Sequence, residues 1–287
     1  MRVGARLERA ALVPPPAAAP TEDAIALGID AGHIRSVRRY QVRSFEAMVA
    51  QVGGAGGKSA VFGGVPAEAD RQQQQLRGVL HRLGATPGTP VTILSDGADG
   101  PRSLGEAASP GPSRHVLDWF HLAMRIHHAG QVAEAWPAGT PGEREDGTRL
   151  ADAVERIRWR LWHGQVRRAL DLIGETLARL DGTTAPTVAA KLAALLRRLE
   201  TYVSGQAGLI IDDAGARRRG EPISTATTEG TVQWLLHRRM GAGQQMRWSP
   251  RGAHRMLKVR TAVANGTLAA DHAAAERWAR RPFRPAA

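Results

Sequence analysis

The chain has 287 residues, 43% of them hydrophobic, which suffices to bury a sizeable core and is too apolar for intrinsic disorder. Its 39 Lys and Arg against 27 Asp and Glu give a formal charge of +12, a balance that draws polyanions, with nucleic acid ahead of an anionic membrane. With no cysteine, disulfides, thiolate metal sites and thiol nucleophiles are excluded, and no run reaches the ~20 apolar residues of a membrane span.

Residues 1–20 end in a Pro/Ala stretch that reads as a linker or disordered terminus. Glu8 and Pro14 to Pro16 break any signal-peptide pattern, so a cytoplasmic protein is expected. AIALGID follows, a short apolar run of buried-strand type ending on Asp30; VRSFEAMVAQV is a second strand, and GGAGG turns into a third, KSAVFGG. GGAGGKS resembles a phosphate-binding loop, but the first glycine that motif requires falls on Val52, and a strand follows where a helix is needed.

AEADRQQQQLRGVLHRLGA sets Leu76, Val79, Leu80 and Leu83 at helical spacing and stops at Gly84. PVTILSDG is a buried strand closed by Asp96, and after a short segment RHVLDWF is another, closed by Asp118. Strands separated by helical connections favour an α/β fold with parallel members. From about residue 122 to 220 apolar residues fall on helical faces, among them Val154, Ile157 and Leu161, then Leu192, Leu196 and Leu199, so an all-helical insertion is expected. PAGTPGEREDGT, residues 137–148, reads as a polar loop inside it. The segment 221–287 opens with ISTATTEGTVQWLLHRRM, a helix with Glu229 in its first turn, and ends in a basic tail and one more helix, AADHAAAERWARR.

Asp30 and Asp96 each close a strand, and ligands of open α/β sheets gather at carboxyl ends of parallel strands. Hard carboxylate oxygens suit Mg²⁺, and two such ions about 3.5–4 Å apart activate a nucleophile and offset leaving-group charge in phosphodiester chemistry. Acids after strands are equally ordinary turn residues, and spacing alone does not separate the two readings.

GIDAGHIRSV, ILSDGADGPRSL, HVLDWFHLAMRI and STATTEGTVQWLLHRRM, followed by QQMRWSPRGAH, resemble successive blocks of bacterial insertion-sequence DDE transposases with an RNase H-like core, of the Kra-type subgroup related to the Mutator-type group. The resemblance spans roughly residues 24–265 and implies an RNase H-like mixed sheet interrupted by the helical insertion. It implies Asp30, Asp96 and Glu229 as catalytic, metal-binding carboxylates holding two Mg²⁺ or Mn²⁺ ions. It further implies cleavage and strand transfer of DNA at element ends, in the nucleoid, by a homo-oligomer on paired ends.

Asp118 and His121 match the family's Asp-x-x-His signature, with a site role or a helix cap as the two readings. After Glu229 the run Arg238, Arg239, Arg247, Arg251, Lys258 and Arg260 reads as a DNA-binding surface or as a solvated helix face, and Trp248 as a base-stacking candidate. Trp159 and Trp162 read as core. Only 29 residues precede Asp30, where the family usually carries a DNA-binding region. A truncated remnant that only binds DNA is therefore the alternative expectation.

Overall fold

A computed structural model describes residues 2–10, 19–21, 23–37, 42–54, 57–66, 69–181, 185–241 and 243–279. Contacts group the chain into two units, Met1–His115 with Thr225–Ala287, and Val116–Ser224. Most of the Pro/Ala stretch, part of the GGAGG turn and the final Pro-containing segment fall outside the described residues.

The first unit is built on β1 (Ile25–Arg35), β2 (Ser44–Gly53), β3 (Ser59–Gly64) and β4 (Val91–Ser95). β1 and β2 pair antiparallel from Ala26 opposite Gly53 to Arg35 opposite Ser44, and β3 continues the meander antiparallel to β2. β4 lies parallel on the other side of β1, and β5 (Ser113–Leu117) completes the order β3-β2-β1-β4-β5. A three-strand meander with the fourth strand parallel to the first is the topology of an RNase H-like core, interrupted after β5 by a helical unit. Side chains alternate across this sheet. Ile25, Leu27 and Ile29 join Met48, Ala50 and Val52 under α2 (Ala69–Arg82) and α3 (Asp99–Ala108). Ile34, Ala47 and Val49 face the opposite layer with Leu235, Leu236 and Leu257.

Two of these elements depart from the sequence reading. α3 occupies the short segment before β5; Pro101 sits in its first turn, where a missing N–H costs no helical hydrogen bond, so the Gly/Pro composition concealed a helix. Residues 2–10 form α1 (Arg2–Ala10) instead of a disordered terminus: Leu7 is buried, Glu8 faces Arg255 at 3.6 Å and Arg6 pairs with Glu276 at 3.3 Å. These contacts tie α1 to α11 (Pro250–Ala264) and α12 (Leu268–Ala279).

The second unit is helical: α4 (Trp119–Glu134), α5 (Pro141–Trp162), α6 (Val166–Leu180), α7 (Pro186–Gly205) and the short α8 (Asp213–Arg218). Leu122, Ile126, Ile157, Leu161, Ile173, Leu192 and Leu196 make its core. The expected loop at 137–148 is mostly helix. Thr140 and Glu143 form a reciprocal capping box at the start of α5, each side chain taking the other residue's backbone N–H, with Pro141 at the first helical position. Trp162 stacks edge-on to Trp119 at 4.7 Å, whereas Trp159 is 47% exposed and lies against His163, so it is not the core residue its spacing suggested. Among the described residues no helix is long and apolar enough to cross a membrane.

Candidate active site

Asp30 is not the last residue of its strand. The hairpin carries β1 on to Arg35, with Asp30 opposite Val49, because the residues after the acid keep pairing with β2. The parallel partner stops earlier, the β1–β4 register ending at Gly28 opposite Leu94. Continuing that register by two residues sets Asp30 alongside Asp96, just past the end of β4. The acid thus stands at the carboxyl end of the parallel pair while its strand runs on.

Gly28, Asp30 and Gly32 share the face that receives α9 (Ala226–Val232). A Cβ on Gly28 would stand 2.1 Å from Thr228 Oγ1, and one on Gly32 would stand 2.5 Å from Leu236 Cδ1. Two bare backbone positions therefore let the helix settle on β1 on either side of Asp30. Thr231 fixes the helix laterally by donating its hydroxyl to Gln51 Oε1 at 2.6 Å.

The result is a carboxylate pair: one oxygen of Asp30 and one of Glu229 lie within 4.8 Å of each other, both side chains half-buried. That spacing allows a single hard cation to touch both acids. Asp30 Oδ1 also accepts its neighbour's amide, from Ala31, at 2.7 Å, and Gln233 Nε2 donates to Glu229 Oε1 at 3.4 Å. Asp96 does not join both acids within that distance. Its Oδ1 accepts from Ala98 N at 3.0 Å, in the turn leading to α3.

Behind Asp96, buried Ser95 pairs through its hydroxyl with His115 Nε2 at 2.8 Å. Burial, and next the Arg102 guanidinium, hold the His115 imidazole below its ordinary value, so this buttress between β4 and β5 is neutral at pH 7. Sequence reading passed over both residues, because a Ser before Asp-Gly looks like turn chemistry.

Glu229 sits in the first turn of α9, its amide bonded to Thr225 O at 2.8 Å. Nothing lies within 4 Å of the position a Cβ on Gly230 would take, so Gly230→Ala is expected to raise unfolding free energy by about 0.5–1 kcal/mol, read by urea denaturation. A lower stability would show that the backbone there needs glycine. Past Val232 the helix widens into a π turn (Gln233–His237) and closes with α10 (Arg238–Met240). Such turns concentrate at functional sites.

The basic run divides. Arg238, Arg239, Arg247 and Arg251 are exposed. Arg260 turns back, donating to Leu235 O at 2.9 Å and covering the Trp234 ring, and its guanidinium is lowered by burial and then by neighbouring Arg239 and Arg238. Lys258 is 6% exposed, with Nζ 4.6 Å from the Phe62 ring, and desolvation pulls its ammonium down to about 7. It is withdrawn from any DNA-facing surface. Trp248 also packs inward: its backbone bonds to Arg35 O and Val37 N, and its indole N–H is buried. Trp234, 37% exposed, is the more open ring of the two.

Within the helical unit Asp118 is fully buried and caps α4, accepting from Phe120 N at 3.0 Å, with its second oxygen 3.6 Å from His121 Nε2. That hydrogen bond is the helix cap, one of the two roles expected of it. Nearby Asp213, missed in the sequence, is 2% exposed, and its Oδ1 has no hydrogen-bond partner. Desolvation, then the charges of Asp212 and Asp118, push its carboxyl up to about 7.

No protein-family model matches the sequence, and no curated protein matches it. Among solved structures, the Drosophila P element transposase strand transfer complex is similar over 90% of this chain and 81% of that chain, at a TM-score of 0.40 and 10% identity. Similarity that distant carries no argument about function.

Proposed function

We propose that the chain is a DDE-type transposase that cleaves and joins DNA at insertion-sequence ends, with Asp30, Asp96 and Glu229 as its catalytic carboxylates. The observation that carries this reading is the carboxylate pair of Asp30 and Glu229, within 4.8 Å on the face of β1 where Gly28 and Gly32 admit the helix. The order of acids along an RNase H-like sheet and the motif blocks around them support it from the sequence side.

Asp30, Glu229 and Asp96 offer carboxylate oxygens only, a donor set that fits Mg²⁺ or Mn²⁺ and suits no soft metal. Two such ions, when bound, lower the pKa of the attacking water or 3′-hydroxyl and neutralise charge on the leaving oxygen. Asp30, fixed by its strand, and Glu229, fixed by Thr228 and Thr231 against the sheet, hold their oxygens in place before DNA arrives. Exposed Arg238 and Arg239, at the far end of the Glu229 helix, neutralise phosphates of the bound strand, and the salt dependence of binding should reflect them. The helical insertion adds DNA contacts. The partners are element-end and target DNA at the nucleoid, engaged by a homo-oligomer, without a membrane.

The test is Mg²⁺- or Mn²⁺-dependent nicking of element-end DNA by the purified chain. Glu229→Gln keeps the shape of the side chain and removes its charge. It is expected to slow nicking at least ~10³-fold, the several kcal/mol attributed to metal-assisted charge stabilisation. DNA binding without nicking in either metal would sink the enzymatic reading and leave a DNA-binding protein.

A further inference from the structure

On the edge of the first unit, a cavity of about 220 Å³ opens among α1, the end of β3, α2 and the start of α11. Gln72 and Gln75, one turn apart on α2, are each 4% exposed and line it. Neither Gln72 Nε2 nor Gln75 Oε1 makes a hydrogen bond. A buried amide group left unpaired is costly, and native interiors tolerate few. Here one such donor and one such acceptor belong to residues that line the same cavity.

The rest of the lining defines what fits. His254 Nδ1 accepts from Val65 N at 3.1 Å, so the proton of the neutral ring is on Nε2, which faces Glu8 Oε1 at 3.9 Å. Burial, then the charge of Lys258, keep this ring neutral, down to about 4. The interior thus offers an amide donor, an amide acceptor, an imidazole N–H and a carboxylate. Arg71 and Arg251, both exposed, stand at the mouth. Mixed donors and acceptors inside, with guanidinium charge outside, match a nucleobase edge and its phosphate. The volume lies below the ~300 Å³ at which pockets for larger ligands begin, so it suits one base and not a stack of them.

We propose that this cavity receives a single nucleobase, its edge read by Gln72, Gln75, His254 and Glu8, with the attached phosphate held by Arg71 and Arg251. The proposal rests on the DNA reading given above, but concerns a different place on the molecule. The base comes from an unpaired nucleotide of a DNA strand or from a free mononucleotide, which offer the same edge and phosphate.

Gln72→Leu and Gln75→Leu keep the proposal exposed to failure, and two probes separate these sources. Replacing an unsatisfied buried amide by an apolar group of similar shape is nearly neutral or stabilising, so an unchanged or raised Tm certifies the fold of each variant. The probes are a single-stranded oligonucleotide carrying one 2-aminopurine, and the deoxynucleoside monophosphates by calorimetry. With the wild-type chain, saturable fluorescence enhancement is expected as the base leaves its stack. Each variant should weaken that transition about tenfold, the size of one or two lost hydrogen bonds. Calorimetric binding of a mononucleotide that is lost in both variants, without the oligonucleotide signal, supports the pocket with a free ligand.

Equal binding of both probes by wild type and folded variants would overturn the assignment, as would no binding of either. Nicking reports on the carboxylates separately: intact nicking beside a 2-aminopurine signal indifferent to Gln72 and Gln75 defeats this proposal alone. Loss of nicking beside a pocket-dependent signal defeats only the enzymatic reading.

Discussion

Gly28→Val is expected to lower the unfolding free energy by about 3 kcal/mol or more, at the upper end of overpacking costs. Even the first atom of the new side chain would lie 2.1 Å from Thr228 Oγ1 and 3.3 Å from Thr225 Cγ2, and Thr228 is 2% exposed with nowhere to move. The relief available is a shift of α9 away from β1, which carries Glu229 away from Asp30. Metal-dependent nicking should therefore fall further than stability alone accounts for, when both are measured at a temperature where the variant is folded. Gly28→Ala combined with Thr228→Ala removes the closest atom and should recover part of the loss of Gly28→Ala alone, a coupling that a double-mutant cycle in urea reads directly. Additive effects, or a Gly28→Val chain as stable as the parent, would show that the helix does not rest on this position.

Asp213→Asn is expected to stabilise the chain at pH 8 by about 2–4 kcal/mol and to remove a pH dependence, on the scale of about 1.4 kcal/mol for each tenfold change in proton affinity. The folded carboxyl titrates near 7 against an ordinary 3.8, because burial and then the charges of Asp212 and Asp118 oppose its ionisation. A raised folded value means that its contribution is fully present below pH ~4, declines as pH rises, and is gone above pH ~7. The wild-type unfolding free energy should thus carry a falling component between pH 4 and 7 that the variant lacks. Chemical denaturation at several pH values checks this, and parallel pH profiles would refute it. The amide also offers an N–H towards neighbouring carboxylates, which the ionised acid cannot.

The α/β order and the helical insertion were legible because both rest on periodicity: apolar runs such as ILS in β4 and the Leu192, Leu196, Leu199 stripe of α7. What escaped depends on partners distant in sequence. Asp30 looks terminal because GIDAGH ends an apolar run, and only pairing with β2 reveals that the strand continues. Thr140-Pro-Gly-Glu143 is a readable capping signal, overshadowed by its turn-forming composition. The basic run was read as one charged surface. Yet His254, Leu257, Lys258 and Thr261 follow helical spacing and form the buried stripe of α11, so periodicity would have moved Lys258 inward. Asp213 gave no such signal, since its burial comes from tertiary packing alone.

The π turn between α9 and α10 gives the Glu229 helix a mechanical character of its own. An α-helix advances about 100° per residue, and a wider turn accommodates an extra residue without that advance. Val232 before it and Leu236 and Met240 within and after it are all buried, so one apolar seam runs on through the wider turn. Arg238 and Arg239, just past the turn, are exposed. Removing a single residue there would close the turn to ordinary α-helical width and leave Glu229 before it, and the heading of Arg238 and Arg239 after it, unchanged.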